Sequence, residues 1–233
     1  MLRFLLLSCC FLTAIATVQA KSARTCRILF LGAPDGAPEK LHLFNGTTSQ
    51  EVELPQMNLS PVYPLPNGPL LLRFLPEAPT KPEQVSPEAP KAILPAAVTD
   101  CYLLVTSDPA NKIAPVKVQV IDADPTKFTN GQLLWFNLTP NKIGGRIGDE
   151  DLAMEANSKK ILDAPAGDNE DYNVNLSFRM PDNDRLYPLC ETKWQHDTRS
   201  RTVVFVVIQQ GTRTPRVLGF PDYREPPEKS EKP

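Results

Sequence analysis

The chain has 233 residues, including 25 prolines, with 25 basic and 27 acidic side chains and a net charge of −2. This nearly balanced charge argues against a nucleic-acid-binding protein, which would need a basic face. Proline interrupts helices but is tolerated in turns and at strand edges, so the composition argues against a mainly helical fold and favours an all-β one.

The start of the chain has the pattern of a secretory signal peptide. Arg3 precedes an apolar stretch over residues 4–18, and the sequence ending at Ala20 fits a cleavage site, so residues 1–20 are predicted to be removed. A retained anchor is the alternative, although a spanning helix needs roughly 18 apolar residues. Lipidation at Cys9 or Cys10 is a further alternative. We expect an exported protein, periplasmic or extracellular after cleavage near Ala20, whose mature chain has no stable membrane span.

An N-terminal β block is predicted over residues 21–75. Its apolar runs predict strands at 26–31, 41–44, 51–54, 62–65 and 70–75. The pair Asn45-Gly46 indicates a hairpin between the second and third strands, because both turn positions accept positive φ.

The turns of this block carry a family resemblance. Pro34-Asp35, Ala37-Pro38, Asn45-Gly46 and the turn over 63–68 lie in the region concerned, about residues 28–75. This region resembles a family of exported bacterial β-sandwich domains of unknown function, which carry a Pro-Asp-Ala-Pro loop, an Asn-Gly turn and a Leu-Pro-x-Gly turn. The chain departs from the pattern where Gly36 divides the first loop, and where Leu41 stands near the family's usual acidic residue. The resemblance implies a fold, and it implies no activity.

A proline-rich segment follows over residues 76–95. Its composition predicts an extended, solvated linker between two β blocks. Because a structureless loop of about 20 residues is uncommon inside a compact domain, a domain boundary is favoured here. Whether the two blocks form two domains or two sheets of one sandwich stays open.

The C-terminal block, residues 96–222, is predicted to be a β-sandwich domain. Its strongest signal is Thr202 to Ile208, a β-branched and aromatic run typical of a strand buried on both faces. Residues 172–180 alternate and predict a half-buried strand. The tail over residues 223–233 is predicted to be disordered.

Further features of this block are less regular. More strands are predicted at 101–105, 116–121, 132–138, 189–195 and 213–220. Residues 151–160 predict either a helical turn or part of a hairpin. The stretch 101–121 echoes 26–44, with a cysteine-led strand and an Ala-Pro loop, which indicates either an internal repeat or coincidence.

Three cysteines follow the predicted cleavage site. In an oxidising compartment one pair could bridge, and Cys26 with Cys101 is the disulfide candidate, because each of them opens an apolar strand. The alternative is that these two and Cys190 are buried free thiols.

The sequence contains no motif for catalysis or for cofactor binding. Its two histidines and scattered cysteines lack the spacing of a zinc site. Cys190 and His196 could form a nucleophile–base pair only if the chain folded back, since six extended residues span about 20 Å. Trp135 and Trp194 could form a sugar-stacking surface, or they could belong to a sandwich core.

One acidic loop is a candidate calcium site. Asp168, Glu170 and Asp171 could supply the carboxylate oxygens that Ca²⁺ prefers. The alternative is that these side chains only stabilise a turn.

These observations predict an all-β fold of antiparallel β-sandwiches, Ig-like in general architecture, with two β blocks joined by the proline-rich segment. We expect a non-enzymatic exported protein, a cell-envelope binding or structural module whose partner is an envelope protein or a polysaccharide. One alternative is a secreted hydrolase that acts on glycans through two loop carboxylates about 5–9.5 Å apart. Another is a subunit of a larger envelope assembly, which predicts an open apolar sheet edge near Val62 or Leu218.

Overall fold

The computed structural model describes residues 24–209 and 211–224, and these residues form an all-β structure. The predicted signal peptide and residues 225–233 of the predicted disordered tail lie outside them. In the described ranges the one helical element is a 3-10 turn at Pro82–Gln84. No helix there has the length and apolar character needed to cross a membrane.

Sixteen strands follow one another along the described chain. Their bounds are β1 Arg24–Phe30, β2 Lys40–Phe44, β3 Ser49–Glu53, β4 Tyr63–Leu65, β5 Leu70–Leu75, β6 Lys91–Leu94, β7 Asp100–Ser107, β8 Val116–Asp122, β9 Leu133–Asn137, β10 Lys142–Ile147, β11 Glu150–Met154, β12 Ser158–Leu162, β13 Asp171–Arg179, β14 Leu186–Gln195, β15 Ser200–Ile208 and β16 Pro215–Tyr223.

The strands build two β-sandwiches with the same topology. In the first sandwich, sheet I has the order β4-β1-β7-β8 and sheet II has the order β3-β2-β5-β6. In the second, sheet III has the order β12-β9-β15-β16 and sheet IV has the order β11-β10-β13-β14. Each strand of the second sandwich stands eight places after its counterpart. The two parallel pairings, β1 with β7 and β9 with β15, also correspond. The chain is therefore a duplicated sandwich, and the predicted all-β sandwich architecture is confirmed.

The division between the sandwiches differs from the one that the proline-rich segment predicts. Strand β7 pairs with β1, and β6 pairs with β5, so residues 76–95 lie within the first sandwich. The segment is anchored, since the N–H of Phe74 donates to the carbonyl of Pro90 and the guanidinium of Arg73 donates to two carbonyls of the loop. The prolines of this segment lie in the loop between β5 and β6 and directly after β6, and the strand itself, residues 91–94, contains none. The connection between sandwiches is residues 123–132.

The predicted echo between residues 26–44 and 101–121 is not the repeat unit. It relates β1 and β7, which are parallel neighbours in sheet I with Cys26 opposite Cys101. Because they are parallel, both strands begin at the same end of the sheet, and both contribute side chains to the same core. This shared environment accounts for their similar sequences.

The four sheets are stacked in the order II, I, III, IV. One apolar core lies between sheets II and I, a second between I and III, and a third between III and IV. The second core joins the sandwiches and contains Leu29, Leu31, Leu59, Tyr102, Leu104, Ile121, Ala123, Phe128, Leu134, Phe136, Val203, Phe205 and Phe220.

Strand β15 confirms the predicted strand buried on both faces. Val203 and Phe205 lie in the core between the sandwiches. Val204 and Val206 lie in the core of the second sandwich. The alternation predicted over residues 172–180 is also confirmed, since β13 buries every second side chain.

A buried ionic cluster stands at one end of the junction between the sandwiches. Asp222, which is 0 % exposed, accepts from Arg27 at 2.5 Å and Arg201 at 3.1 Å. Arg224 approaches the same carboxylate at 2.9 Å, and the Tyr102 hydroxyl donates to it at 2.6 Å. These contacts connect strands β1 and β7 of the first sandwich to β15 and β16 of the second.

A second carboxylate completes this cluster. The carboxylate oxygens of Asp100 lie 2.5 Å from a guanidinium nitrogen of Arg201 and 3.1 Å from one of Arg224. Arg201 also donates to the carbonyls of Ala123 and Phe128. Because Arg224 takes part, the ordered structure extends past residue 223, where disorder is predicted to begin.

Candidate functional site

A cleft of about 560 Å³ opens in the second sandwich, between the edge strands β14 and β16. Its size lies within the range of about 300–1,000 Å³ that is usual for small-molecule sites. It is lined by Gly131, Leu133, Tyr172, Lys193, Trp194, Gln195, His196, Asp197, Ser200, Thr202, Val217, Gly219, Pro221 and Tyr223.

Strand β16 forms one side of the cleft through its two-residue alternation. Every second residue from Val217 to Tyr223 lines the cleft. The intervening residues Phe220 and Asp222 face the first sandwich, in the apolar core and the ionic cluster. One strand therefore carries the cleft on one face and the junction on the other.

Aromatic rings form the opposite side. Trp194 is half-buried on β14 and stacks on the fully buried Trp135, with ring centroids 5.9 Å apart and planes inclined by 8°. Tyr172 meets Trp194 edge-on at 6.2 Å. Burial raises the pKa of Tyr172 to about 12, so its hydroxyl keeps its proton at neutral pH. Of the two readings of the tryptophans, Trp135 belongs to the core, and Trp194 lies at the surface of the cleft.

The polar groups of the cleft nearly cancel in charge. Asp197 holds Arg199 at 2.8 Å, and it also accepts from the backbone N–H of Arg199. These hydrogen bonds hold the pKa of the Asp197 carboxyl well below its usual range, so this group is ionised. Lys193 adds one positive charge, and Gln195, Ser200 and Thr202 add uncharged polar side chains.

His196 fixes the end of the cleft. Its ring is buried, with Nε2 2.9 Å from the carbonyl oxygen of Gly131 and Nδ1 3.2 Å from that of Gly167. Because both nitrogens are engaged with backbone, the ring ties two loops together. Cys190 lies six residues earlier on the extended strand β14, so the two side chains do not form a nucleophile–base pair.

The structure does not bring the candidate calcium ligands together. Asp168 accepts from the backbone and hydroxyl of Thr198, at 3.1 and 2.9 Å. Glu170 accepts from the N–H of Gly167 at 2.9 Å. Over residues 24–209 and 211–224 no three acidic, histidine or cysteine side chains form a group that could hold a metal ion. Glu170 thus stabilises its own turn, and Asp168 connects this turn to the loop that contains Thr198.

The disulfide candidate Cys26–Cys101 lies at the centre of the first sandwich. The two residues are direct partners on the parallel strands β1 and β7, and both are 0 % exposed. The structure has them as free thiols, and Cys190 is a third free thiol in the second sandwich. The bridge stays a prediction.

The two alternative functions, a glycan hydrolase and a subunit of a larger assembly, each predict a feature that can be compared with the structure. A glycan hydrolase needs a pair of carboxylates, whereas Asp197 is the one carboxylate among the residues that line the cleft. A larger assembly predicts an open apolar edge. Leu218 packs against the core between the sandwiches, while Val62, beside edge strand β4, is 43 % exposed.

Sequence reasoning gave Trp194 two alternatives, a stacking surface or the core, and missed the other side of the cleft. The signal was present in β16, where Val217, Gly219, Pro221 and Tyr223 alternate with Leu218, Phe220 and Asp222. The charged and small residues of this strand hide its pattern.

Comparisons with known proteins assign no activity. No family model matches the chain, and no curated protein matches it. Among solved structures, a DUF3823 family protein from Bacteroides ovatus is similar at 12 % identity, covering 73 % of this chain and 97 % of that one, with a TM-score of 0.20.

Proposed function

We propose that the chain is an exported, non-catalytic binding module of the cell envelope, and that the cleft between β14 and β16 is its binding surface. The observation that carries this proposal is the make-up of the cleft. Aromatic rings and uncharged polar groups face a recess of ligand size, and its one carboxylate is engaged by Arg199. Such a lining suits recognition, because aromatic surface supplies affinity and a few polar groups supply specificity.

The architecture supports a scaffold role. Two copies of one sandwich are joined by an apolar core and by buried ion pairs. The first copy has a short edge strand, Lys91–Leu94, at the place where the second has the ten-residue β14. The longer strand forms the wall of the cleft, so recognition belongs to the second sandwich.

A cleft-filling variant tests the proposal. Gly219 lines the cleft, and a Cβ there would meet only the Cγ2 of Thr202 within 4 Å, at an ordinary 3.8 Å. Gly219→Leu therefore fits the strand and projects into the recess.

The experiment expresses the full chain with its leader in the organism that makes it. N-terminal sequencing should show cleavage after Ala20, and fractionation should place the protein in the envelope. Purified envelope should retain the wild type and release Gly219→Leu. Cytoplasmic, uncleaved protein, or equal retention of both forms, would refute the proposal.

A further inference from the structure

We infer that the ligand of the β14/β16 cleft is a glycan whose sugar ring stacks on Trp194. This inference rests on the proposed function, because it names the chemical class that the same cleft recognises. A sugar ring has an apolar C–H face and a rim of hydroxyl groups. It needs a flat aromatic surface beside hydrogen-bonding groups that are already fixed in place.

The aromatic surface is fixed before any ligand arrives. Trp135 stacks on Trp194 with nearly parallel planes, and Tyr172 packs against Trp194 at an interplanar angle of 81°. Trp135 is fully buried, so the indole of Trp194 cannot turn freely into the interior. A held ring costs less conformational entropy on binding than a mobile one.

Hydrogen-bonding groups belong to the same cleft as that ring. Gln195, Ser200 and Thr202 line the same recess and carry no charge. Tyr223 is 53 % exposed at its rim and offers a second aromatic side chain. A nucleic acid or phosphate ligand would require more positive charge than Lys193 supplies.

The binding test uses native gels that contain soluble laminarin, xyloglucan, mannan, galactan, dextran or polygalacturonate. At least one of these should retard the mature wild-type protein. Trp194→Ala and Gly219→Leu should weaken the retardation about tenfold or more. Because the charges of the cleft nearly cancel, binding should persist in about 1 M NaCl, where charges farther apart than about 3 Å are screened.

Tyr187→Ala is the matched control. Tyr187 is also an aromatic residue of β14, but it packs on Phe178 at 5.3 Å and does not line the cleft. This variant should bind as the wild type does. Thermal unfolding followed by circular dichroism identifies any variant that fails to fold, and two different cleft variants prevent one misfolded protein from deciding the result.

Intrinsic fluorescence gives an independent readout. The chain has two tryptophans, and both belong to this stack. The retarding polysaccharide should change the emission of the wild type. The glycan inference would be overturned if none of the six polysaccharides retarded the wild type, or if both cleft variants were retarded as strongly as the wild type. If Gly219→Leu still loses envelope retention in that case, the proposed function stands with a protein partner.

Discussion

At the level of single residues, Asp222 holds the two sandwiches together. It is the shared partner of Arg27, Arg201 and Arg224, and it accepts from Tyr102. Burial alone would raise the pKa of its carboxyl, but the arginines and the Tyr102 hydroxyl outweigh burial and lower it. A buried charge of this kind is stabilising only while its partners remain.

Replacing Asp222 by asparagine should therefore destabilise the protein strongly. Arg27 would lose its carboxylate partner, and Arg201 and Arg224 would keep only that of Asp100, so we expect a loss of about 3–5 kcal/mol in the free energy of unfolding at neutral pH. Urea unfolding followed by circular dichroism measures it. The control is Lys127→Met, which removes an exposed pair with Asp122 at 2.7 Å and should cost less than about 1 kcal/mol.

Acid provides a second readout of the same substitution. Because the folded-state pKa of Asp222 lies below its ordinary value of 3.8, its contribution is complete above that pH and is lost as the pH falls through the folded value. The difference in stability between wild type and Asp222→Asn should therefore shrink between about pH 5 and pH 2. A constant difference would show that the substitution acts through packing and not through charge.

Two adjacent glycines on β10 make a sharper residue-level contrast. A Cβ at Gly145, where φ is +147°, would lie 2.0 Å from the carbonyl oxygen of Asn175 on β13. At Gly144 the nearest atom would be 3.5 Å away. Gly145→Ala should thus cost about 3 kcal/mol or more, and Gly144→Ala should cost less than about 1 kcal/mol, in denaturant unfolding. Equal costs would contradict the close approach of these strands.

At the level of elements, the individual strands and the β2–β3 hairpin at Asn45-Gly46 were predictable, and the long-range partners were not. The runs at residues 202–208 and 172–180 follow directly from burial on two faces or on one. The pairing of β1 with β7 joins residues about 75 positions apart, and no local pattern encodes it. The domain boundary predicted at the proline-rich segment was wrong. Proline shows that a residue does not donate a strand hydrogen bond, but it does not show whether the chain returns to the same sandwich after the loop.

The residues of the candidate site also divide into those that the sequence indicates and those that depend on strand pairing. Trp194 was recognisable from its residue type, whereas Gly219 gave no signal because its role depends on which strand lies opposite. The acidic loop at Asp168 was recognisable as a turn. The carboxylate of Asp168 accepts two hydrogen bonds from Thr198, a partner that the local sequence does not indicate.

The pair β1–β7 carries the disulfide prediction. Burial raises the pKa of the Cys101 thiol to about 12 and raises that of Cys26 well above its usual range. Thiolate is the reactive form, so a bridge must form before the core of the first sandwich closes.

We expect the mature protein, residues 21–233, refolded with oxidised glutathione to expose one thiol, that of Cys190, to iodoacetamide after denaturation. Protein that is folded in the reduced state and oxidised afterwards should expose three. Intact mass spectrometry counts the labels, and Cys190→Ala should lower each count by one. Three labels in both preparations would exclude the bridge.

At the level of the whole molecule, the duplicated sandwiches should unfold as one unit. Sheets I and III bury an apolar core between them, and the ionic cluster closes one end of it. If either sandwich unfolded alone, this core would be exposed to water, and the free-energy cost would be proportional to its apolar area. Circular dichroism reports both sandwiches, whereas fluorescence reports only the second, because Trp135 and Trp194 both lie there.

The two signals should therefore give coincident urea transitions for the wild type. Leu29→Asp introduces a charge into the core between the sandwiches, where Leu29 is 1 % exposed, and should separate the transitions. Leu71→Asp is the matched control on the outer face of sheet II, where the side chain is 41 % exposed, and it should leave them coincident. Separate transitions in the wild type would mean that the two copies are stable independently, and that the junction only orients the cleft.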